Sequence, residues 1–137
     1  MARHIIAGIA LVAFLVSGCD SLGKYGEAKR ALNDFAEAMD AYSAALEKSA
    51  TPADVVAATD AYTKRLEVIM PKIRELEKKN PESRNQSEPP AELKDVVARV
   101  QESQKRMVKN SVDIFLMKYP SDADVQKANM RLVEVLK

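Results

Sequence analysis

The sequence predicts an all-α protein, a small antiparallel up-down helical bundle with three longer helices and a short C-terminal helix. Three observations predict this class. Apolar residues after position 25 recur at alternating spacings of three and four, which places them on one side of a helix. Prolines and polar segments divide this periodic region into four parts. No stretch of useful length alternates between apolar and polar residues as a strand does.

The first two helices are predicted from two apolar stripes joined by a short link. The stripes comprise Tyr25, Ala28, Leu32, Phe35, Met39, Tyr42 and Leu46, and then Val55, Thr59, Tyr62, Leu66, Ile69, Ile73 and Leu76. Between them, Thr51 is expected to cap the second helix, with Pro52 in its first position and Asp54 completing a capping box. Pro71 falls inside the second stripe, so we expect a kink or a local break there. The short link favours an antiparallel hairpin.

The third and fourth helices follow a polar, proline-rich segment, 80–90, that is expected to be a loop. Pro90 is a candidate first residue of the third helix. The apolar positions are Leu93, Val96, Val97, Val100, Met107, Ile114 and Phe115 in the third helix, and Val125, Ala128, Leu132, Val133 and Leu136 in the fourth. Tyr119 precedes a proline, which disfavours helix and ends the third element. Ser121 is expected to be the N-cap of the fourth helix, with Asp124 three residues later.

The chain begins with the layout of a secretion signal. Residues 5–16 carry no polar side chain, a length that suits a signal core of roughly 7–15 residues and is too short for the roughly 20 of a membrane span. The segment from Val16 to Cys19, Val-Ser-Gly-Cys, resembles the lipobox of bacterial lipoproteins. This resemblance implies cleavage of residues 1–18 and lipidation of Cys19 with acyl chains. Cys19 is the only cysteine, so no intramolecular disulfide accounts for it.

Asp20 directly follows the expected lipid attachment site. In lipoproteins of enteric-type Gram-negative bacteria, an aspartate here resembles the sorting signal for retention in the inner membrane. The resemblance favours the inner over the outer membrane, and the alternative is that Asp20 starts a solvated linker. Residues 19–26 are then a lipidated N-terminus with a short tether, and residues 27–137 a single helical domain. We expect a protein of the cell envelope, anchored by lipid and facing the periplasm.

Composition restricts the chemistry of the body that remains after residue 18. Arg3 leaves with the signal, so the 21 Lys and Arg become 20 and balance the 20 Asp and Glu. A neutral body argues against nucleic acid and against a polybasic membrane-binding surface. His4, the only histidine, also leaves, and the chain has no tryptophan. Without histidine or a free thiol the body lacks the usual zinc, copper and haem ligands and the usual bases of nucleophilic catalysis. We expect no metal, no cofactor and no enzymatic activity.

A candidate partner face lies on the third helix, where Ser103, Gln104, Met107, Asn110 and Ser111 make the stripe less apolar. Polar residues beside a stripe can fix register, line a cavity or meet a partner. The alternative is a wider solvated face on an outer helix. Lysines and arginines also make this helix modestly basic, but interleaved acids favour an ordinary charged face over a membrane-binding one.

Two further groups of residues have a simple structural interpretation beside a functional one. The tyrosines on the stripes suggest either an aromatic ligand pocket or core packing, and the helical spacing favours packing. The methionines suggest either an adaptable groove for a partner helix or gap filling in the core, and we favour gap filling.

The leading hypothesis is a membrane-anchored, non-catalytic lipoprotein whose helical domain binds another envelope protein as an accessory, adaptor or inhibitor. The alternative is a carrier or sensor that binds an apolar small molecule or lipid between its helices. An internal cavity would favour the carrier, whereas a filled core would count against it.

Overall fold

Four α-helices make up the fold in a computed structural model that describes residues 25–79 and 87–137. They are α1 (Gly26–Lys48), α2 (Pro52–Lys79), α3 (Lys94–Val112) and α4 (Ala123–Leu136), with a 3-10 turn at Ala91–Leu93 and a π-helical segment at Asp113–Lys118. No strand occurs in these two ranges, and the predicted all-α fold class is confirmed. The predicted signal segment 1–18, the lipidation site Cys19 and the sorting residue Asp20 lie outside the described residues.

The link between α1 and α2 has the capping box that the sequence predicts. The Thr51 hydroxyl accepts a hydrogen bond from the Asp54 amide at 3.2 Å, and the Asp54 carboxylate accepts one from the Thr51 amide at 3.0 Å. These reciprocal bonds satisfy amides that the first helical turn leaves unpaired. On the other side of the link, the Ser49 hydroxyl donates to the Ala45 carbonyl at 2.8 Å and closes the end of α1.

Of the kink or local break expected at Pro71, the break does not occur: α2 continues through this residue to Lys79. Pro71 is exposed, so its ring faces solvent and water can reach the carbonyl that loses its amide donor. Met70 and Ile73 on either side are buried and hold both halves of the helix against the core. Tertiary packing therefore overrides the local cost of the proline.

The helices alternate in direction, but the side-by-side pairs are not all neighbours in sequence. α1 and α2 form a central antiparallel hairpin, with α3 packed on α1 and α4 packed on α2. Arg99 of α3 donates to Asn33 at 3.1 Å, and Arg106, about two helical turns later, donates to Glu47 at 2.8 Å. Both contacts advance along α1 and α3 together, so these two helices are parallel. Contacts of α4 advance along α2 in the same way.

One hydrophobic core includes residues from all four helices. Every member of the predicted stripes is buried except Tyr25, Leu76, Met107, Val133 and Leu136, which are half-buried. Of these five, Val133 is the one that does not pack against the core. Leu32, Leu46, Leu66, Val100 and Val125 are 0–2% exposed. Because burying such side chains contributes roughly 1.5–3 kcal/mol each, the stripes supply the main force that assembles the bundle.

The N-cap of α4 is Asp122, so the prediction of Ser121 is wrong by one residue. The Asp122 carboxylate accepts hydrogen bonds from the amides of Asp124 at 3.1 Å and Val125 at 3.0 Å. Its backbone is extended at φ −75° and ψ 118°, the conformation of an N-cap. The turn after the π-helical segment uses Ser121, and the helix begins only after Asp122.

Candidate functional site

The structure turns most of the predicted partner face of α3 toward α1. Ser103 and Ser111 are buried, whereas Gln104, Met107 and Asn110 are half-buried. The two serines are therefore unavailable to an external partner in this fold. That Gln104, Met107 and Asn110 contact a partner stays a prediction. These residues lie at the edge of the α1–α3 contact, so only part of each side chain is accessible.

A polar belt between α1 and α3 occupies part of that edge. The Arg106 guanidinium donates to both carboxylate oxygens of Glu47, at 3.0 and 2.8 Å, and the Asn110 amide donates to Glu47 at 3.0 Å. The hydrogen bond from Arg106, then the one from Asn110, lowers the pKa of Glu47 to about 2. Both charged side chains are about half exposed (47% and 46%), so solvent screens the pair. The belt fixes the register of α3 on α1 more than it adds stability.

An aromatic pair, Tyr42 and Tyr62, lies at the centre of the α1–α2 contact. The rings stack with centroids 4.5 Å apart and planes 7° apart. The hydroxyls of Tyr42 and Thr59 share a hydrogen bond of 3.0 Å. The Tyr62 hydroxyl is fully buried and has no hydrogen-bond partner among the described residues.

Burial keeps both phenols of this pair neutral. It raises the pKa of Tyr42 to about 12, against the opposing effect of the hydrogen bonds that Tyr42 shares with Thr59 and Ser111. Burial, followed by the proximity of Tyr42, also raises the pKa of Tyr62. Each ring covers one face of the other, so no slot between them is open to an aromatic ligand. This geometry supports the packing interpretation of the two tyrosines.

Five large apolar side chains stay exposed on the described surface: Val68 (61%), Val112 (36%), Leu116 (47%), Met117 (77%) and Met130 (61%). Three of them lie close together in the sequence: Val112 is the last residue of α3, and Leu116 and Met117 belong to the π-helical segment that follows it. The π-helical turn there, closed by a hydrogen bond of 2.9 Å from the Tyr119 amide to the Ile114 carbonyl, widens the helix just where its outer side is apolar. Such π-helical turns are frequent at functional sites.

The methionines do not assemble into one groove. Met39 and Met70 are buried in the core and Met107 is half-buried, whereas Met117 and Met130 are exposed on different elements. The buried ones fill the core, as the packing interpretation predicts. A continuous methionine surface of the kind that accepts partner helices is not formed by these five described residues.

A surface groove of about 620 Å³ lies between the beginnings of α2 and α4. Its lining comprises Thr51, Pro52, Ala53, Val56, Ala57, Asp122, Asp124, Lys127 and Arg131. Apolar side chains from the first turns of α2 form one wall, and charges of both signs on α4 form the other. Arg131 is held by Asp60 at 2.8 Å, and Lys127 lies 3.9 Å from Asp124. We call this feature the α2–α4 groove.

A second, smaller groove lies between α1 and α2 at the opposite end of the bundle. It has a volume of about 340 Å³ and is lined mainly by charged side chains, among them Glu27, Arg30, Lys72 and Glu75. Both grooves open to solvent. Neither has the enclosed, mainly apolar wall that small-molecule sites usually have.

None of the described helices is long and apolar enough to cross a membrane. Within residues 25–79 and 87–137, no three His, Cys, Asp or Glu side chains are grouped so as to hold a metal ion. Comparison with protein-family models, with curated proteins and with solved structures finds no match to this chain.

Sequence reasoning missed the α2–α4 groove. It treats Pro52 and Asp54 as helix-starting residues and Asp124 as a capping partner, but gives no sign that the two helix starts are neighbours. The available signal is that both α2 and α4 begin with a capping carboxylate after a short turn. That signal becomes informative only when the parallel pairing of α2 and α4 is known.

Proposed function

We propose that this protein is a lipid-anchored envelope protein whose helical bundle binds another protein without catalysing a reaction. It would act as an accessory, adaptor or inhibitor in the periplasm, held at the membrane by acyl chains on Cys19. The anchoring part is supported by the lipobox-like segment and by the uniqueness of that cysteine. Several acyl chains give stable attachment where one does not.

The observation that supports protein binding is the position and chemistry of the α2–α4 groove. The groove lies at the end of the bundle where α1 finishes, and 23 helical residues separate it from the start of α1, a distance of about 34 Å. The tether would hold the other end near the membrane. The groove therefore stands where a periplasmic protein has access to it.

The groove is suited to a short protein segment rather than to a buried small molecule. Pro52 and Val56 offer an apolar surface, while Asp124 and Lys127 on the facing wall can pair with charges on a partner. This mixture of an apolar patch and a polar rim is typical of transient protein interfaces. The open grooves and the closed tyrosine stack give less support to the alternative function as a carrier of apolar molecules.

Site-specific photocrosslinking in the native envelope tests the binding proposal. A photoreactive amino acid replaces Ala57, which is exposed and lines the groove, and in a matched control it replaces Ala41, which is exposed on α1 away from it. We expect a discrete protein adduct from position 57 and none from position 41. Equal adducts at both positions, or no adduct at 57, would contradict the proposal.

The anchoring part has a separate test. Cys19→Ala should abolish incorporation of a labelled fatty acid and release the protein from its stable membrane attachment. Unchanged lipid labelling of this variant would refute the lipid attachment at Cys19. Asp20→Ser should move the protein between inner and outer membrane if the enteric-type sorting rule applies, and an unchanged distribution would show that it does not. Reproducible turnover abolished by changing one carboxylate would overturn the non-catalytic part.

A further inference from the structure

The two walls of the α2–α4 groove begin before the core takes hold of them. Val55 of α2 and Val125 of α4 are fully buried and are the first buried residues of their helices. We call the part of the groove before these two residues its outer end and the part after them its inner end. The lining residues of the outer end are Thr51, Pro52 and Ala53 on α2 and Asp122 and Asp124 on α4. Core packing therefore fixes the inner end directly, whereas the spacing of the outer end depends on other contacts.

The inner end of the groove is also closed by an ion pair between the two helices. The Arg131 guanidinium donates to both carboxylate oxygens of Asp60, at 2.8 and 3.0 Å. Arg131 is the last lining residue on α4, and Asp60 lies almost one helical turn beyond Ala57, the last lining residue on α2. Because a bidentate contact fixes both distance and orientation, this pair holds the walls in register at the inner end.

Two polar side chains join the walls at the outer end. The Tyr119 hydroxyl donates to the Ala50 carbonyl at 3.1 Å. The Lys118 ammonium donates to the Ser49 carbonyl at 3.3 Å. Both bonds run from the turn that precedes α4 to the link that precedes α2, and we call them the latch. The residue after Ala50 and the third residue after Tyr119 line opposite walls of the groove, so the latch lies just outside its outer end.

Further hydrogen bonds connect the latch to the first turn of α4. The Gln126 side-chain amide donates to the carbonyls of Tyr119 and Pro120, both at 3.4 Å. The Asp122 amide donates to the Tyr119 carbonyl, also at 3.4 Å. Because the turn is bonded to α4 on one side and to the link on the other, the position of Tyr119 sets the distance between the outer ends of the two walls.

We propose that Tyr119 is a positioning residue for the partner site: its hydroxyl, together with the Lys118 ammonium, holds the outer end of the α2–α4 groove at the width that the partner segment requires. The inference rests on the proposed function of this groove. The groove has a volume of about 620 Å³ while both bonds of the latch are formed, so the latched arrangement is the one with room for a segment. Without the latch, only a fraction of the molecules has this width at any time, and the apparent affinity for the partner falls by that fraction.

Amide hydrogen exchange of the full chain, followed by NMR, tests the latch without any partner. Tyr119→Phe removes only the hydroxyl, because the half-buried ring keeps its packing against the core. We expect the amides of Asp122 and Asp124 to exchange about fivefold faster in this variant, the effect of losing one typical hydrogen bond. Lys118→Met combined with Tyr119→Phe should accelerate them further. Unchanged exchange at these amides in the double variant would overturn the inference.

Arg74 provides a matched control at the other end of the same helix pair. Its guanidinium donates to the Val135 carbonyl at 2.8 Å, so Arg74→Met also removes a side-chain bond between α2 and α4 while keeping an unbranched stem. We expect this variant to leave the exchange of the Asp122 and Asp124 amides at the wild-type rate. Equal acceleration of these amides in Arg74→Met and Tyr119→Phe would indicate a general loss of stability and would overturn the inference.

Photocrosslinking in the native envelope tests the effect of the latch on partner binding. The photoreactive residue stays at position 57, on the inner part of the α2 wall, and is combined in turn with the latch variants and with Arg74→Met. We expect the adduct to fall several-fold in the double latch variant, to fall less in Tyr119→Phe, and to keep the wild-type level in Arg74→Met.

The outcomes separate the positioning role from the proposed function. Faster exchange with an unchanged adduct in the double latch variant overturns the positioning role and leaves the proposed function standing. A loss of adduct of the same size in Arg74→Met also overturns the positioning role. The absence of an adduct from position 57 in the otherwise wild-type chain overturns the proposed function, and the positioning role with it.

Discussion

The stacked pair Tyr42 and Tyr62 allows one chemical change to have opposite effects at two adjacent sites. Tyr62→Phe removes a buried hydroxyl that has no partner among the described residues, and such a group costs about 1–3 kcal/mol. We expect this variant to gain about 1 kcal/mol in the free energy of unfolding. Tyr42→Phe removes the hydrogen bond of 3.0 Å with Thr59 and the hydrogen bond with Ser111, so we expect a loss of about 1–2 kcal/mol.

The two variants are controls for each other. Both side chains are 2% exposed, both belong to one ring stack, and each variant loses a single oxygen atom. Urea unfolding followed by circular dichroism measures the change, and equal slopes against urea would show that the midpoints compare stability directly. A similar loss of stability in both variants would refute the reasoning, because it would mean that the Tyr62 hydroxyl does have a partner in solution.

The same pair predicts a loss of stability at high pH. Burial raises the pKa of Tyr42 to about 12 from the ordinary value of 10.0, so the folded state keeps a proton that the unfolded chain releases. The stabilising effect is complete below about pH 10 and is lost as the pH rises through 12. The urea midpoint of the wild type should fall in this window, and that of Tyr42→Phe should fall less. An equal fall in both would contradict the assignment to Tyr42.

Three further predictions concern α2, α4 and the polar belt. Asp122→Ala should lower the free energy of unfolding by about 1 kcal/mol, whereas Ser121→Ala should change it by less than about 0.5 kcal/mol. Urea unfolding measures both, and a larger loss of stability in Ser121→Ala than in Asp122→Ala would restore Ser121 as the N-cap. The Glu47 carboxyl should titrate with a midpoint near pH 2 when followed by NMR, so its ion pair with Arg106 persists above pH 4.5 and is lost as the pH falls toward 2. Arg106→Gln should raise the midpoint, and an unchanged midpoint in this variant would count against the ion pair. Pro71→Ala should stabilise the protein by up to about 3 kcal/mol, and a destabilised variant would argue against an uninterrupted α2.

The apolar stripes predicted the helices well because burial depends mainly on spacing within one helix. The capping box at Thr51 and Asp54 was also predictable, since its partners lie three residues apart in the sequence. The pairing of α3 with α1 was not, because a stripe shows that a helix is buried but not against which neighbour. The segment 80–90 is also long enough to permit more than one neighbour for α3.

The candidate sites were harder to predict for a different reason. Ser103 and Ser111 are polar, but their side chains are small enough to fit inside the α1–α3 contact. Conversely, Val112 and Leu116 are apolar and exposed, because other residues, such as Val97 and Val100, form the side of α3 that packs against the core. The α2–α4 groove depends on which helix starts are neighbours, and that is a property of the assembled bundle.

The parallel pairs also set the order in which the chain can fold. The polar contacts that join α3 to α1 and α4 to α2 link residues 59–71 positions apart in sequence, whereas the α1–α2 hairpin closes locally. Contacts over such separations slow folding relative to a bundle of sequential neighbours. The residues through α4 must therefore be synthesised before α3 can cover α1 and α4 can cover α2. The hairpin alone would leave its outer apolar surfaces open until α3 and α4 pack on them.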